Sequence, residues 1–290
     1  MKVFVTGASG FIGTAVVQEL LSAGHQVLGL ARSDESAQKL EAAGAEVLRG
    51  SLDDLDSLKR GAAAADGVIH LAFIHDFSQF QAAAAADQQA IEAIGSVLAG
   101  SGRPLVVTSG FAGFAMGRPA AEDDAPANGL RTSEPAALVP QGVRAMVARL
   151  AASVHDAGDH GFVPYLIQVA REKGKAAYIG DGQNRWPGVH RLDAARLFRL
   201  ALEKGEAGAR YHGVGDSGIT FRELAEVIGR HLNVPVVSVT AEEAPAHFGW
   251  MARFAGLDMA ASNQLTQQRL DWHPTHPGLV ADMEANYFGG

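Results

Sequence analysis

The chain of 290 residues contains no cysteine. That excludes disulfides, thiolate metal centres and cysteine nucleophiles, and it fits a reducing compartment. Basic charge is scarce: 24 Lys and Arg stand against 32 Asp and Glu, a formal net charge of −8, with no basic block. A nucleic-acid interface needs a basic stripe, so no nucleic-acid partner is expected. Long apolar runs are missing too. The longest uncharged stretch, Val3 to Gln18, covers 16 residues and is broken by Gly7, Gly10, Gly13, Thr6, Ser9 and Thr14. A bilayer span needs roughly 20 apolar residues. No basic region followed by an apolar stretch and a small-residue cleavage site opens the sequence. A cytoplasmic protein with no membrane partner is the expectation.

What the chain has in surplus is glycine, 34 of 290 residues, about 12% where about 7% is usual. That points to tight turns and close backbone approaches. The length suits one large domain or two modest ones. Short apolar runs alternate with helical patterns through the first half. Strands are expected at Lys2–Thr6, Gln26–Ala31, Ala45–Leu48, Gly67–Ala72, Pro104–Ser109 and Val143–Leu150. Helices are expected between them, ending at Gly24 and Gly44 and including an alanine-rich one over 79–98. This alternation implies βαβ units and a parallel sheet, an α/β fold.

In the second half, helices are expected over Gly161–Ala170, from a cap at Asp193 to Lys204, and over Phe221–Leu232. Strands are expected at Ala176–Ile179, Arg210–Val214 and Val234–Val239. Gly180 to His190 reads as a loop, and the last forty residues show no clear period.

Thr6-Gly7-Ala8-Ser9-Gly10-Phe11-Ile12-Gly13 lies between the first strand and the first helix. Gly7 permits the turn, Gly10 lets a phosphate approach the backbone, and Gly13 lets helix and strand pack closely. Strand, loop and helix stand where a dinucleotide site needs them, which makes the α/β fold a Rossmann-type doubly wound sheet. Ser9, Phe11 and Ile12 complete the loop. The second strand ends in Ala31-Arg32-Ser33, followed by Asp34 and Glu35. A guanidinium and a hydroxyl there suit a 2′-phosphate, so NADP(H) is expected over NAD(H). The alternative is a solvated Arg32 with Asp34 capping the next helix.

TGASGFIG at Thr6–Gly13, GSLDDL at Gly50–Leu55, HLA at His70–Ala72 and TSG at Thr108–Gly110 resemble the short-chain dehydrogenase/reductase superfamily. The resemblance is to its extended and atypical branch, with the NAD-dependent epimerase/dehydratase fold, and covers the chain, including Gly180–Leu197. It implies that Ser51 and Leu52 flank the adenine, that Leu71, Ala72 and Phe73 line the ribose-nicotinamide side, and that Ser109 lies near the nicotinamide. It further implies a dinucleotide-binding part over 1–160, to which 187–204 return, and a smaller C-terminal substrate lobe over 161–290.

Members of this superfamily usually protonate their substrate with a Tyr four residues before a Lys, about 25 residues after the Ser that ends the fifth strand. The Lys lowers the Tyr pKa. This chain has no Tyr and no Lys from residue 61 to residue 164. Leu130 and Glu134 fall at the dyad positions, and Pro135 and Pro140 shorten or break the helix that would carry them. Three readings follow. The first is a reductase that takes its proton elsewhere, with Ser109 or His75, oriented by Asp76, as the donor. Reduction of an already protonated imine needs less acid help than reduction of a ketone. The second is a non-catalytic NADP-binding sensor. The third, an epimerase or dehydratase using the dinucleotide transiently, ranks lowest, because such enzymes are expected to keep the dyad.

Phe111, Tyr165, Trp186 and His190 are the candidate substrate-lining residues, and with Phe114 they suit a small apolar or aromatic molecule. No Gly-x-Ser-x-Gly elbow or His-Glu-x-x-His helix is present. His155 and His160, and His273 and His276, read as loop histidines with no metal expected. The superfamily often dimerises through two helices per subunit. The alanine-rich helix fits one, while the prolines compromise the other, so a homodimer, a different dimer and a monomer all stay open.

Overall fold

A computed structural model describes residues 1–75, 79–114, 117–126, 133–138 and 142–289. β1 (Lys2–Thr6) is an apolar run that ends at Gly7, and α1 (Phe11–Ser22) starts after Gly10. The alternation continues through β2 (Gln26–Ala31), α2 (Asp34–Ala42), β3 (Glu46–Arg49) and α3 (Leu55–Ala63). Then come β4 (Gly67–His70), α4 (Phe80–Leu98), β5 (Pro104–Gly110), a short α5 (Ser133–Leu138) and β6 (Arg144–Leu150). The second half holds β7 (Ser153–His155), α6 (Phe162–Lys173), β8 (Ala176–Ile179), β9 (Arg185–His190) and α7 (Arg191–Lys204). They are followed by β10 (Arg210–Gly213), β11 (Asp216–Thr220), α8 (Phe221–Leu232) and β12 (Val236–Val239). After these lie α9 (Ala244–Phe248), α10 (Ala252–Ala255), α11 (Gln264–Leu270) and α12 (Leu279–Asn286).

The main sheet has seven strands in the order β10-β6-β5-β4-β1-β2-β3. Every neighbouring pair is parallel. The run 3-2-1-4-5-6 within it is the doubly wound dinucleotide-binding order, with its crevice between the carboxyl ends of β1 and β4. Strands covered on both faces are apolar throughout rather than alternating. Accordingly α1, α2 and α7 cover one face, and α3, α4 and α5 the other. A three-stranded sheet, β11-β9-β7, and the β12-β8 pair accompany it. Among the described residues no helix is long and apolar enough to cross a membrane.

Several expectations change. Gly180 to His190 is not all loop, since β9 occupies its second half and pairs with β7 and β11. The polar start and Pro187 hide this strand, but its residues Trp186 to His190 are buried. Asp193 does not cap α7. His190 does, accepting the Leu192 N–H at 3.2 Å. Asp193 instead accepts the N–H groups of Thr275 and His276 at 3.0–3.1 Å and anchors that segment. The main sheet also takes its edge strand β10 from a region assigned to the substrate lobe.

That edge carries a buried ionic network. Arg149 of β6 forks onto Glu134 at 2.7 and 2.8 Å, and donates to the carbonyls of Glu122 and Asp124. Burial works to raise the Glu134 pKa, but the hydrogen bonds and charge of Arg149, then of Arg210, hold it below the usual range. His212 donates from Nδ1 to the Ser262 carbonyl at 2.6 Å and accepts Arg149 Nη1 on Nε2 at 3.2 Å, so it is neutral. Burial, with the Arg149 charge, brings its pKa down to about 3.

A histidine in the unfolded chain gains its proton near 6.5, and this one resists until about 3. Stability from His212 is therefore present at neutral pH and is lost as pH falls below about 6.5. In urea unfolding at pH 7 and pH 5, His212→Gln, which can still accept from Arg149, should lose less stability on acidification. The expected difference is on the order of 2 kcal/mol, and equal losses would show that His212 is not the acid-sensitive group.

Candidate dinucleotide and substrate site

The glycine loop is built by exclusion. A Cβ on Gly13 would sit 2.0 Å from the Gly7 carbonyl oxygen, so only glycine lets α1 approach the β1 turn this closely. Gly7 has φ +67°, and a Cβ there would meet Ala72 N at 2.8 Å. Gly10 is different. It is exposed, in ordinary extended conformation, and a Cβ would meet only the Gly7 oxygen, at 3.3 Å. Position 10 thus leaves open space over the helix start, where Phe11, Ile12 and Gly13 present N–H groups without intrahelical acceptors. No side chain caps α1. Ser9, Phe11 and Ile12 are partly buried around this opening. The cradle fits a pyrophosphate.

At the end of β2, Arg32 is exposed and makes no ion pair among the described residues. Ser33 is the N-cap of α2: its hydroxyl accepts the Ser36 N–H at 3.2 Å and donates to the Ser36 hydroxyl at 3.0 Å. Asp34, the nearby carboxylate, is held by Arg49. Arg49 went unnoticed in the sequence, although it stands in register with Ala31 on the neighbouring strand. Ser51 and Leu52 follow β3 and are half-buried.

On the β4 side, Leu71, Ala72 and Phe73 are half-buried as the chain leaves the sheet. Ala72 N–H donates to the Thr6 hydroxyl at 3.3 Å. Ser109 is the penultimate residue of β5, is 6% exposed and has no side-chain hydrogen bond among the described residues. His75 is exposed, edge-on to Phe73 at 5.5 Å, while its expected partner Asp76 lies outside the described residues. Leu130 also lies outside them. Glu134 is committed to Arg149 and Arg210, so it serves the buried network.

The substrate-lining expectations fare unevenly. Trp186 is fully buried between Phe162 and Phe221, and Phe111 is 2% exposed against Phe114 and His212. Both are core residues, not lining, because their apolar surface is already covered. Tyr165 is half-buried, donates to the Phe248 carbonyl at 3.2 Å and packs on Trp250, which is 40% exposed. His190 is 7% exposed and stacks on His276 with ring centroids 4.6 Å apart.

The histidines read as loop residues include two that are structural. His155 is buried in β7 and bonds Asp282 at 2.9 Å, while His276 bonds Asp193 at 3.1 Å. Burial holds the His190 pKa below its ordinary value, against the pull of Asp156. Asp156, His190 and Asp282 bring three ligand-type atoms within 4.8 Å of one another. Yet the Leu192 N–H occupies His190 Nδ1, which leaves the proton on Nε2 facing Asp156. His190 Nε2 lies 3.6 Å from Asp156 Oδ1, an ion-pair distance rather than a hydrogen bond.

The loop geometry separates two glycine substitutions. Gly13→Ala should cost on the order of 3 kcal/mol or prevent folding. Gly10→Val should change stability by only about 1 kcal/mol while abolishing dinucleotide binding, measured by thermal unfolding and fluorescence titration. Retained binding in folded Gly10→Val would show that the phosphate lies elsewhere.

A family model described as the NAD dependent epimerase/dehydratase family matches residues 3–97. The chain is 51% identical over 294 residues to an uncharacterized protein of Schizosaccharomyces pombe, covering 99% of this chain and 100% of that protein. It is 28% identical over 278 residues to a 4-hydroxy-2-methyl-3-oxo-4-farnesyl-3,4-dihydroquinoline-1-oxide ketoreductase of Stigmatella aurantiaca, covering 86% and 80% of the two chains. A dTDP-glucose 4,6-dehydratase of Streptomyces venezuelae, solved with NAD bound, has a TM-score of 0.78 at 20% identity, covering 99% and 98%. That last likeness concerns the fold alone. Sheet order, glycine loop and sequence matches agree: the chain belongs to the NAD-dependent epimerase/dehydratase family.

Proposed function

We propose that this protein is an NADPH-dependent reductase acting on a small apolar or aromatic carbonyl or imine, with a proton donor other than the Tyr–Lys pair. The observation that carries the cofactor choice is the charge at the ends of β2 and β3. Arg32 is unpaired among the described residues, and Asp34, the carboxylate that would favour a free 2′-hydroxyl, is engaged by Arg49. Two guanidiniums so placed favour a 2′-phosphate. Similarity to a ketoreductase over 86% of the chain supports the reaction class.

Bound NADPH supplies a hydride. The chain's own part is to hold the dinucleotide over the glycine loop and to present a hydrogen-bond donor to the substrate heteroatom. Ser109, at the carboxyl end of β5, has its hydroxyl uncommitted among the described residues. His75, on the exposed loop after β4, is the second candidate. Phe73 and Phe80, 6.0 Å apart, give that side an aromatic wall. The commitment of Glu134 to two arginines, with no Tyr or Lys from 61 to 164, favours one other reading, a dinucleotide sensor without turnover.

Titration with NADPH and NADH, then turnover against ketones, aldehydes, cyclic imines and activated alkenes, tests both readings. Tight NADPH binding with turnover supports the reductase; tight binding with none across the panel supports the sensor. Arg32→Ala should raise the NADPH Kd by about tenfold or more, the loss of one charge-assisted hydrogen bond, and leave the NADH Kd within about twofold on the same reasoning. Equal losses for both cofactors would remove the NADP assignment.

A further inference from the structure

A chain of buried side chains runs beneath the candidate cofactor site. Thr6, His70, Asp87 and Ser133 are each 0% exposed. The Ala72 N–H donates to Thr6 Oγ1 at 3.3 Å, and Thr6 Oγ1 meets His70 Nδ1 at 2.9 Å. His70 Nε2 meets Asp87 Oδ1 at 3.1 Å, and the Ser133 hydroxyl donates to Asp87 Oδ2 at 2.5 Å. The Thr108 hydroxyl donates to the His70 carbonyl at 2.9 Å.

Among the described residues, one arrangement of protons satisfies these bonds with a neutral imidazole. The Asp87 carboxylate accepts from both sides, so His70 carries its proton on Nε2 and accepts the Thr6 hydroxyl proton on Nδ1. Thr6 Oγ1 is then free to accept the Ala72 N–H. Each bond fixes the next. The series starts at the backbone that turns over Gly7 and ends at the first residue of α5, passing through α4.

A fully buried carboxylate is an expensive way to join two helices, since apolar side chains of similar volume do this at less cost. No member of the series reaches solvent, so none of them touches a ligand. We propose that Thr6, His70, Asp87 and Ser133 are positioning residues that couple the dinucleotide loop to helix α5, so that α5 and the cofactor-facing backbone at Ala72 hold one mutual placement. The proposal rests on the dinucleotide reading above. If Ser133 loses its hydroxyl, Asp87 Oδ2 loses a donor, His70 re-seats on the carboxylate, and the Thr6 hydroxyl that holds Ala72 shifts with it. Cofactor affinity should then respond to a group at the far end of the chain of bonds.

The test uses the full chain and direct NADPH titration. Ser133→Ala should raise the NADPH Kd about fivefold, Ser133→Thr should restore it, and Thr6→Val should raise it as well. The double variant should fall short of the product of the two single effects by at least about threefold, because distant independent sites combine additively and one relay does not. Thr266→Val is the structural control. Its hydroxyl is equally buried and bonded to the Glu122 carboxylate at 2.8 Å, but it lies in α11. It should lower the Tm and leave the NADPH Kd unchanged. Ser133→Ala that lowers the Tm while keeping the wild-type Kd overturns the proposal, and so does a double variant equal to the product. A wild-type protein that binds neither NADPH nor NADH overturns the dinucleotide reading, and the relay with it.

Discussion

The contact between Gly13 and the Gly7 carbonyl is the constraint from which the candidate site follows. A missing side chain lets α1 start tight against the end of β1, and its unpaired N–H groups then face the crevice between β1 and β4. Gly7 meets Ala72 backbone to backbone in the same way. Three chain segments thus converge with almost no side-chain volume between them. The space left above them suits an anionic group, because backbone N–H groups face it.

Polar chemistry at the carboxyl ends of the strands is divided between exposed and buried groups. Arg32 and Arg49 meet solvent, Arg49 paired with Asp34. Beneath them, His70 with Asp87 and Arg149 with Glu134 are closed off and satisfied by geometry rather than by water. Arg149, Glu134 and Arg210 fasten α5 and the sheet edge together.

The Rossmann half was legible because its signals are local. Apolar runs with glycine-marked ends give β1 to β6, and the Thr6–Gly13 loop gives the dinucleotide cradle. The second half was not, for identifiable reasons. β9 begins with Arg185 and contains Pro187, so it lacks a strand pattern, although tertiary burial makes Trp186 a core residue. α9 to α12 span only four to eight residues each, too few to show a helical period. His155 and His276 looked like loop residues because their carboxylate partners, Asp282 and Asp193, are distant in sequence. Arg49 needed the register of two parallel strands before its meeting with Asp34 was visible.

The edge strand β10 has a bearing on how the molecule is made. It pairs with β6 from a point just after α7, and α7 itself packs on α1, with Arg199 bonded to Glu19 and Glu203 to His25. A nascent chain that has delivered every strand up to β6 therefore still has an unpaired hydrogen-bonding edge and an uncovered helix face. Exposed edges of that kind recruit other chains.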